Sequence, residues 1–109
     1  MENTVAVELI RRAAEDPKLD IFYWKDDNGK EVDFVIKKGL KVTELVQVCY
    51  NVDDYIVKSR EVKALIKAST ELSCNKLIVL TWDYQETEIY EHEKKKVEFI
   101  QLWSWLLQN

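Results

Sequence analysis

The sequence predicts an α/β domain, a mixed sheet flanked by helices in the order α-β-β-β-α-β-β-β-α. Three observations predict it. Two stretches with helical apolar periodicity, 4–15 and 58–73, enclose three β-rich runs joined by short turns. The second helical stretch separates two strongly apolar strands, so it acts as a crossover that pairs them in parallel. At 109 residues, with two Gly and one Pro, the chain suffices for one core and leaves little room for disorder. The whole of 1–109 reads as a single domain.

The first helix spans 4–15. Asn3 or Thr4 can cap it, Val5, Leu9 and Ala13 form its apolar stripe, and Pro17 stops it. Residues 19–25 are β-rich, and Asp27-Asn28-Gly29 is a strong hairpin turn into a second strand, 30–37. Lys38-Gly39 turns the chain into a third strand, 41–50. Leu45, Val46, Val48 and Tyr50 are apolar on both faces, which places that strand centrally in the sheet. A loop covers 51–57. The second helix, 58–73, turns Val62, Leu65, Ile66 and Leu72 inward and ends at Asn75. Residues 76–82 form a continuous buried strand. A hairpin, 86–91 and 96–101, turns around Glu93-Lys94-Lys95, and 102–107 form a short terminal helix.

Hydrophobic residues make up 47% and charged residues 33%, an ordinary balance for a globular protein. No apolar run approaches a membrane span and no signal-peptide pattern is present, so a cytoplasmic location is expected. The net charge of −4 argues against strong non-specific nucleic-acid binding but leaves room for a small basic face. Cys49 and Cys74 are too few for a disulfide framework and lack metal-ligand spacing. His92 is the only histidine, which removes His-based triads and zinc sites from consideration.

The residues that can carry chemistry lie on the second and third strands. Alternation puts Glu31, Asp33 and Val35 on one face of the second strand, and Leu45, Gln47 and Cys49 on one face of the third. Meander pairing brings Asp33 toward Gln47. Glu8, beside the Val5–Leu9 stripe, can turn toward Asp33 if the first helix packs on that face. Such a cluster suits Mg²⁺, with Mn²⁺ as a substitute, because hard cations take oxygen ligands. Asp33 is the essential candidate ligand, with Glu8 a second carboxylate and Gln47 and Val48 offering carbonyl oxygens. Asp33, Gln47 and Glu8 are thus the candidate catalytic residues. Each has a plain alternative: Asp33 facing solvent, Glu8 in an exposed pair with Arg12, Gln47 and Cys49 as strand packing positions. Trp82, Trp103 and Trp105 are expected in the core or at an interface.

Several blocks together resemble a known family. They are Glu2-Asn3-Thr4-Val5-Ala6-Val7-Glu8-Leu9, Tyr23-Trp24, Glu31-Val32-Asp33-Phe34-Val35-Ile36, Glu44-Leu45-Val46-Gln47-Val48-Cys49-Tyr50, Arg60-Glu61-x-x-Ala64-Leu65 and Leu102-Trp103-x-Trp105-Leu106-Leu107. They look like the C-terminal domain of bacterial and archaeal AAA-type ATPases, a domain without assigned function that is similar to PD-(D/E)XK nucleases and Holliday junction resolvases. The resemblance implies a restriction-endonuclease-like core, with Asp33 at the metal-binding Asp and Glu8 at the helix acid. Gln47 stands where the second acid belongs and Cys49 where the lysine belongs. A thiol is never cationic, so Lys63, Lys37 and Lys25 are the candidate replacements. No Gly-x-x-x-x-Gly-Lys-Ser/Thr occurs, so an ATPase module is absent from this chain.

Two functions follow. One is a metal-dependent nuclease acting on linear or branched DNA. The other is a nuclease-fold module without cleavage that binds a partner, such as an ATPase domain. A homodimer is implied only by analogy with resolvases.

Overall fold

The computed structural model describes residues 2–108. Nine elements follow in order: α1 (Glu2–Glu15), β1 (Leu19–Lys25), β2 (Glu31–Lys38), β3 (Lys41–Val48), α2 (Tyr55–Leu72), β4 (Leu77–Thr81), β5 (Glu86–Tyr90), β6 (Lys95–Gln101) and α3 (Leu102–Leu106). The predicted order and mixed α/β architecture are both observed. Six strands form one sheet in the order β1-β2-β3-β4-β6-β5. β1, β2 and β3 pair antiparallel, β3 with β4 and β4 with β6 pair parallel, and β5 returns antiparallel on β6. The sheet is therefore mixed, with β3 and β4 at its centre and β1 and β5 at its edges.

Helices cover both faces. α2 packs its Val62, Leu65 and Ala68 on Val35, Leu45, Leu77 and Phe99. α1 and α3 cover the opposite face, where Val5, Leu9 and Trp105 meet Ile36, Val46, Ile78 and Leu80. A strand buried on both sides must be apolar at consecutive positions. Leu77–Thr81 meets this condition, with every residue buried.

Local chemistry explains the boundaries that differ from expectation. α1 begins at Glu2, so Asn3 and Thr4 lie within its first turn. α2 begins at Tyr55, three residues before the predicted start, because Asp54 caps it. The Asp54 carboxylate accepts the N–H groups of Ile56 and Val57 at 3.0 and 3.2 Å. Ser73, not Asn75, closes the helix, with a left-handed φ of 54°. β3 ends at Val48, two residues early, for reasons that belong to the site. At the β1–β2 turn Gly29 takes φ 84°, and the Asp26 carboxylate accepts the N–H groups of Asn28 and Lys30.

Candidate functional site

The β2–β3 ladder runs from Lys38↔Lys41 to Phe34↔Val46 and then stops. Beyond that point side chains take over from backbone. Gln47 Oε1 accepts the Asp33 N–H at 2.8 Å. Gln47 Nε2 donates to the Glu31 carbonyl at 2.7 Å and to the Glu61 carbonyl of α2 at 3.3 Å. Asp33 Oδ2 accepts the Val48 N–H at 2.8 Å. The two side chains hold the splayed strand ends together and tie both to α2.

A bulge in β2 sets up the splay. Phe22 pairs with Val35 and Trp24 with Val32, so Asp33 and Phe34 together oppose Tyr23 alone. Val32 and Val35, three residues apart, both enter the core under α2. Simple alternation, with Glu31, Asp33 and Val35 on one face, therefore does not hold across this segment.

Gln47 is completely buried. Its partners fix the orientation of its amide, since an N–H needs the oxygen and two carbonyls need the NH₂ group. A carboxylate could accept from Asp33 but could donate to neither carbonyl. The glutamine thus matches this position chemically in a way an ionised acid does not.

Asp33 opens onto a cleft of about 370 Å³ lined by Lys30, Glu31, Arg60, Glu61 and Ala64, among others. Burial pushes its carboxyl up to about 6, against the pull of the Val48 N–H, and the charges of Glu2 and Glu31 add to the rise. Glu61 is also raised, first by burial and then by the charge of Asp33. Glu61 is a functional candidate that sequence reasoning missed. Its own backbone carbonyl accepts from the Gln47 amide, a placement that depends on how α2 crosses β3. Burial likewise raises the Cys49 thiol, which keeps it neutral.

Glu8 lies in a different cluster. Both its oxygens are engaged by Arg11 (3.0 and 2.8 Å), and Oε2 also by Arg12 (2.7 Å). These guanidinium bonds hold its carboxyl down to about 2. Arg12 also donates to the carbonyls of Trp105 and Gln108, and its guanidinium stacks 4.4 Å from the Trp105 ring centre. Glu8 and Arg12 together staple α1 to α3. The structure brings together Asp33, Gln47 and Val48 of the predicted set, and engages Glu8 in the staple.

The candidate lysines are also dispersed. Lys25 approaches Glu31 at 3.9 Å, Lys37 lies toward the other end of β2, and Lys63 lines the exposed face of α2. Lys30, which the sequence did not single out, and Arg60, which it offered only within a family block, line the Asp33 cleft.

Mg²⁺ needs several oxygen ligands in a tight shell. Among the described residues, no group of three or more His, Cys, Asp or Glu side chains is placed to hold a metal ion. Gln47 has its amide committed to backbone, and one Asp33 oxygen is taken by Val48.

Of the other aromatic residues, Trp105 is buried, whereas Trp82 is 62% and Trp103 59% exposed. Cys49 and Cys74 are free and buried. Among the described residues no helix is long and apolar enough to cross a membrane.

A sequence family described as a domain of unknown function (DUF4143) matches residues 1–105. No significant match is found among curated proteins or among solved structures.

Proposed function

Since the chain belongs to the DUF4143 family, whose description assigns no chemistry, we propose its role from its own residues: a nuclease-fold module that does not cleave and that works by binding a protein partner. The restriction-endonuclease-like identity is part of this proposal. It is supported by the helix and strand order and by the convergence of Asp33 with position 47 at splayed strand ends. The partner class suggested by the family resemblance is an AAA-type ATPase, which the module would regulate.

Gln47 carries the proposal. A buried amide that donates to two backbone carbonyls is a structural bridge. It occupies the place where a cleaving site of this fold would hold a second acid. Large exposed apolar residues at one end of the molecule, Tyr50, Trp82 and Trp103, support a binding role.

The competing reading is cleavage of DNA with Mg²⁺ or Mn²⁺. It draws on Asp33 and Glu61 sharing one cleft with Arg60 and Lys30. Calorimetric titration of both ions into wild type and Asp33→Ala separates the two, run beside cleavage assays on linear and branched DNA. The expected result is no Asp33-dependent heat and intact DNA. Asp33-dependent metal binding accompanied by cleavage would overturn the proposal.

A further inference from the structure

The three central parallel strands end at the same level. Val48 of β3 pairs with Leu80 of β4, and Thr81 of β4 pairs with Gln101 of β6. Just past each end stands an exposed aromatic residue: Tyr50 (58%), Trp82 (62%) and Trp103 (59%). Neighbouring strands are about 4.8 Å apart, so the three ring-bearing positions fall within roughly 10–15 Å. Scattered single apolar residues need no explanation, but three exposed aromatic residues just past the ends of adjacent strands invite one.

The loops at this end are acidic, and the nearby cation, Lys58 over the Tyr84 ring, is paired with Glu88. The connections 49–54 and 82–85 carry Asp53, Asp54 and Asp83 and no Lys, Arg or His. An aromatic surface with a carboxylate rim favours cations that can sit over ring faces, flanking an apolar group.

The opposite end of the sheet presents that chemistry. The β2–β3 turn is Lys37-Lys38-Gly39-Leu40-Lys41. Gly39, at φ 64°, turns the chain and leaves Leu40 98% exposed. Lys38 pairs with Asp16, while Lys37 and Lys41 have no ion pair among the described residues. The eight residues of β3 separate this turn from the aromatic end, a span of about 25 Å. A molecule therefore cannot fold its own Leu40 into its own aromatic end.

We propose that the aromatic ends of β3, β4 and β6 form a docking surface for the Leu40 turn of a second copy of this chain, giving a head-to-tail contact. Leu40 seats among Tyr50, Trp82 and Trp103, and Lys37 and Lys41 meet Asp53 and Asp83, the rim carboxylates not engaged in capping α2. Such a contact is heterologous: each copy offers one head and one tail, so association continues beyond a dimer unless its rotation closes a ring. The inference rests on the binding-module reading and names its surface.

Sedimentation of the 109-residue chain tests it, with three variant samples. Trp82→Ser/Trp103→Ser removes the head, Leu40→Asp removes the tail, and the third sample is their equimolar mixture. All substituted residues are exposed, and circular dichroism checks that each variant folds. Wild type is expected to gain mass with concentration above the 12.9 kDa monomer. That association should weaken at least about tenfold between low and high salt. Each variant alone should stay monomeric. Their mixture should stop at a dimer, because only one intact head meets one intact tail. Wild type remaining monomeric up to about 1 mM, self-association of a folded variant, or a mixture that stays monomeric would overturn the contact. None of these results alters metal binding or cleavage, which judge the functional proposal separately.

Discussion

Asp33 and Gln47 exchange roles with the backbone. The Gln47 side chain accepts the Asp33 N–H at 2.8 Å, and the Asp33 side chain accepts the N–H of Val48, the residue after Gln47, at 2.8 Å. Two polar side chains replace the next rung of the β2–β3 ladder where the strands separate. The arrangement satisfies buried polar groups that would otherwise be costly, and it makes position 47 a test of what the site is for.

Gln47→Glu should destabilise the fold at pH 7 by about 2–4 kcal/mol, since a buried carboxylate would face two carbonyls. Burial would raise the new carboxyl above its unfolded value. The folded state would then keep its proton longer, and stability would fall as pH rises from the unfolded pKa. Urea unfolding at pH 7 and near pH 4.5 measures this, with the smaller loss expected at the lower pH. A variant as stable as wild type at both would show that the amide bridge is dispensable.

Asp33→Asn should stabilise the protein at neutral pH. Its amide oxygen can still accept the Val48 N–H, and the buried charge is gone. The wild-type carboxyl is raised to about 6 from 3.8, so wild-type stability declines as pH rises through that window. Wild type and variant should be close near pH 4 and differ by about 1–2 kcal/mol at pH 7, after allowing for solvent screening. A less stable Asn variant at pH 7 would mean that the ionised carboxylate has a cationic partner.

Arg12→Ala should cost about 2–3 kcal/mol, because it removes the α1–α3 staple and leaves Glu8 with a reduced set of donors. Glu8 titrates in the opposite sense to Asp33. Held down to about 2, it contributes stability that is complete above the ordinary glutamate range and is lost as pH falls toward 2. Acid unfolding monitored by Trp fluorescence should move to higher pH in the variant. An unmoved acid transition would disconnect the staple from stability.

A second polar node ties the β5–β6 hairpin to α2. Glu88 accepts from Lys58 at 2.6 Å, Tyr84 at 2.5 Å and Tyr90 at 2.8 Å. Burial pushes its carboxyl up, but these three donors together hold it below the usual range. Tyr84 is pushed up to about 12, first by its bond to Glu88, and burial also raises Tyr90. Alkaline titration followed by ultraviolet absorbance should show two late-ionising tyrosines. In Glu88→Gln the Tyr84 ionisation should move down toward the ordinary tyrosine value near 10. The same late ionisations in the variant would assign them to burial alone.

The elements were legible because short-range patterns encode them. Asp27-Asn28-Gly29 marks the first hairpin, and the apolar run Leu77–Thr81 marks a strand covered on both sides. The Asp54 cap of α2 was also legible in principle, since an Asp before a helical run is an N-cap signal. It was obscured by Ile56 and Val57, whose β-branched side chains resemble a loop or strand. The bulge opposite Tyr23 had no such signal, because neither Asp33 nor Phe34 is the glycine that often marks one.

By itself the sequence determined the helix and strand order, the parallel pairing across the α2 crossover, the central place of β3 and the meeting of Asp33 with position 47. These follow from which faces must be apolar and how short the turns are. Only the tertiary structure decided where the polar groups find partners. It engaged Glu8 with Arg11 and Arg12, committed the Gln47 amide to the carbonyls of Glu31 and Glu61, set Glu61 beside Asp33, and left Trp82 and Trp103 exposed while burying Trp105. Apolar burial is non-directional, so periodicity reveals it. Hydrogen bonds and ion pairs are directional and act over a few ångströms, so they depend on register and helix placement that no local pattern contains.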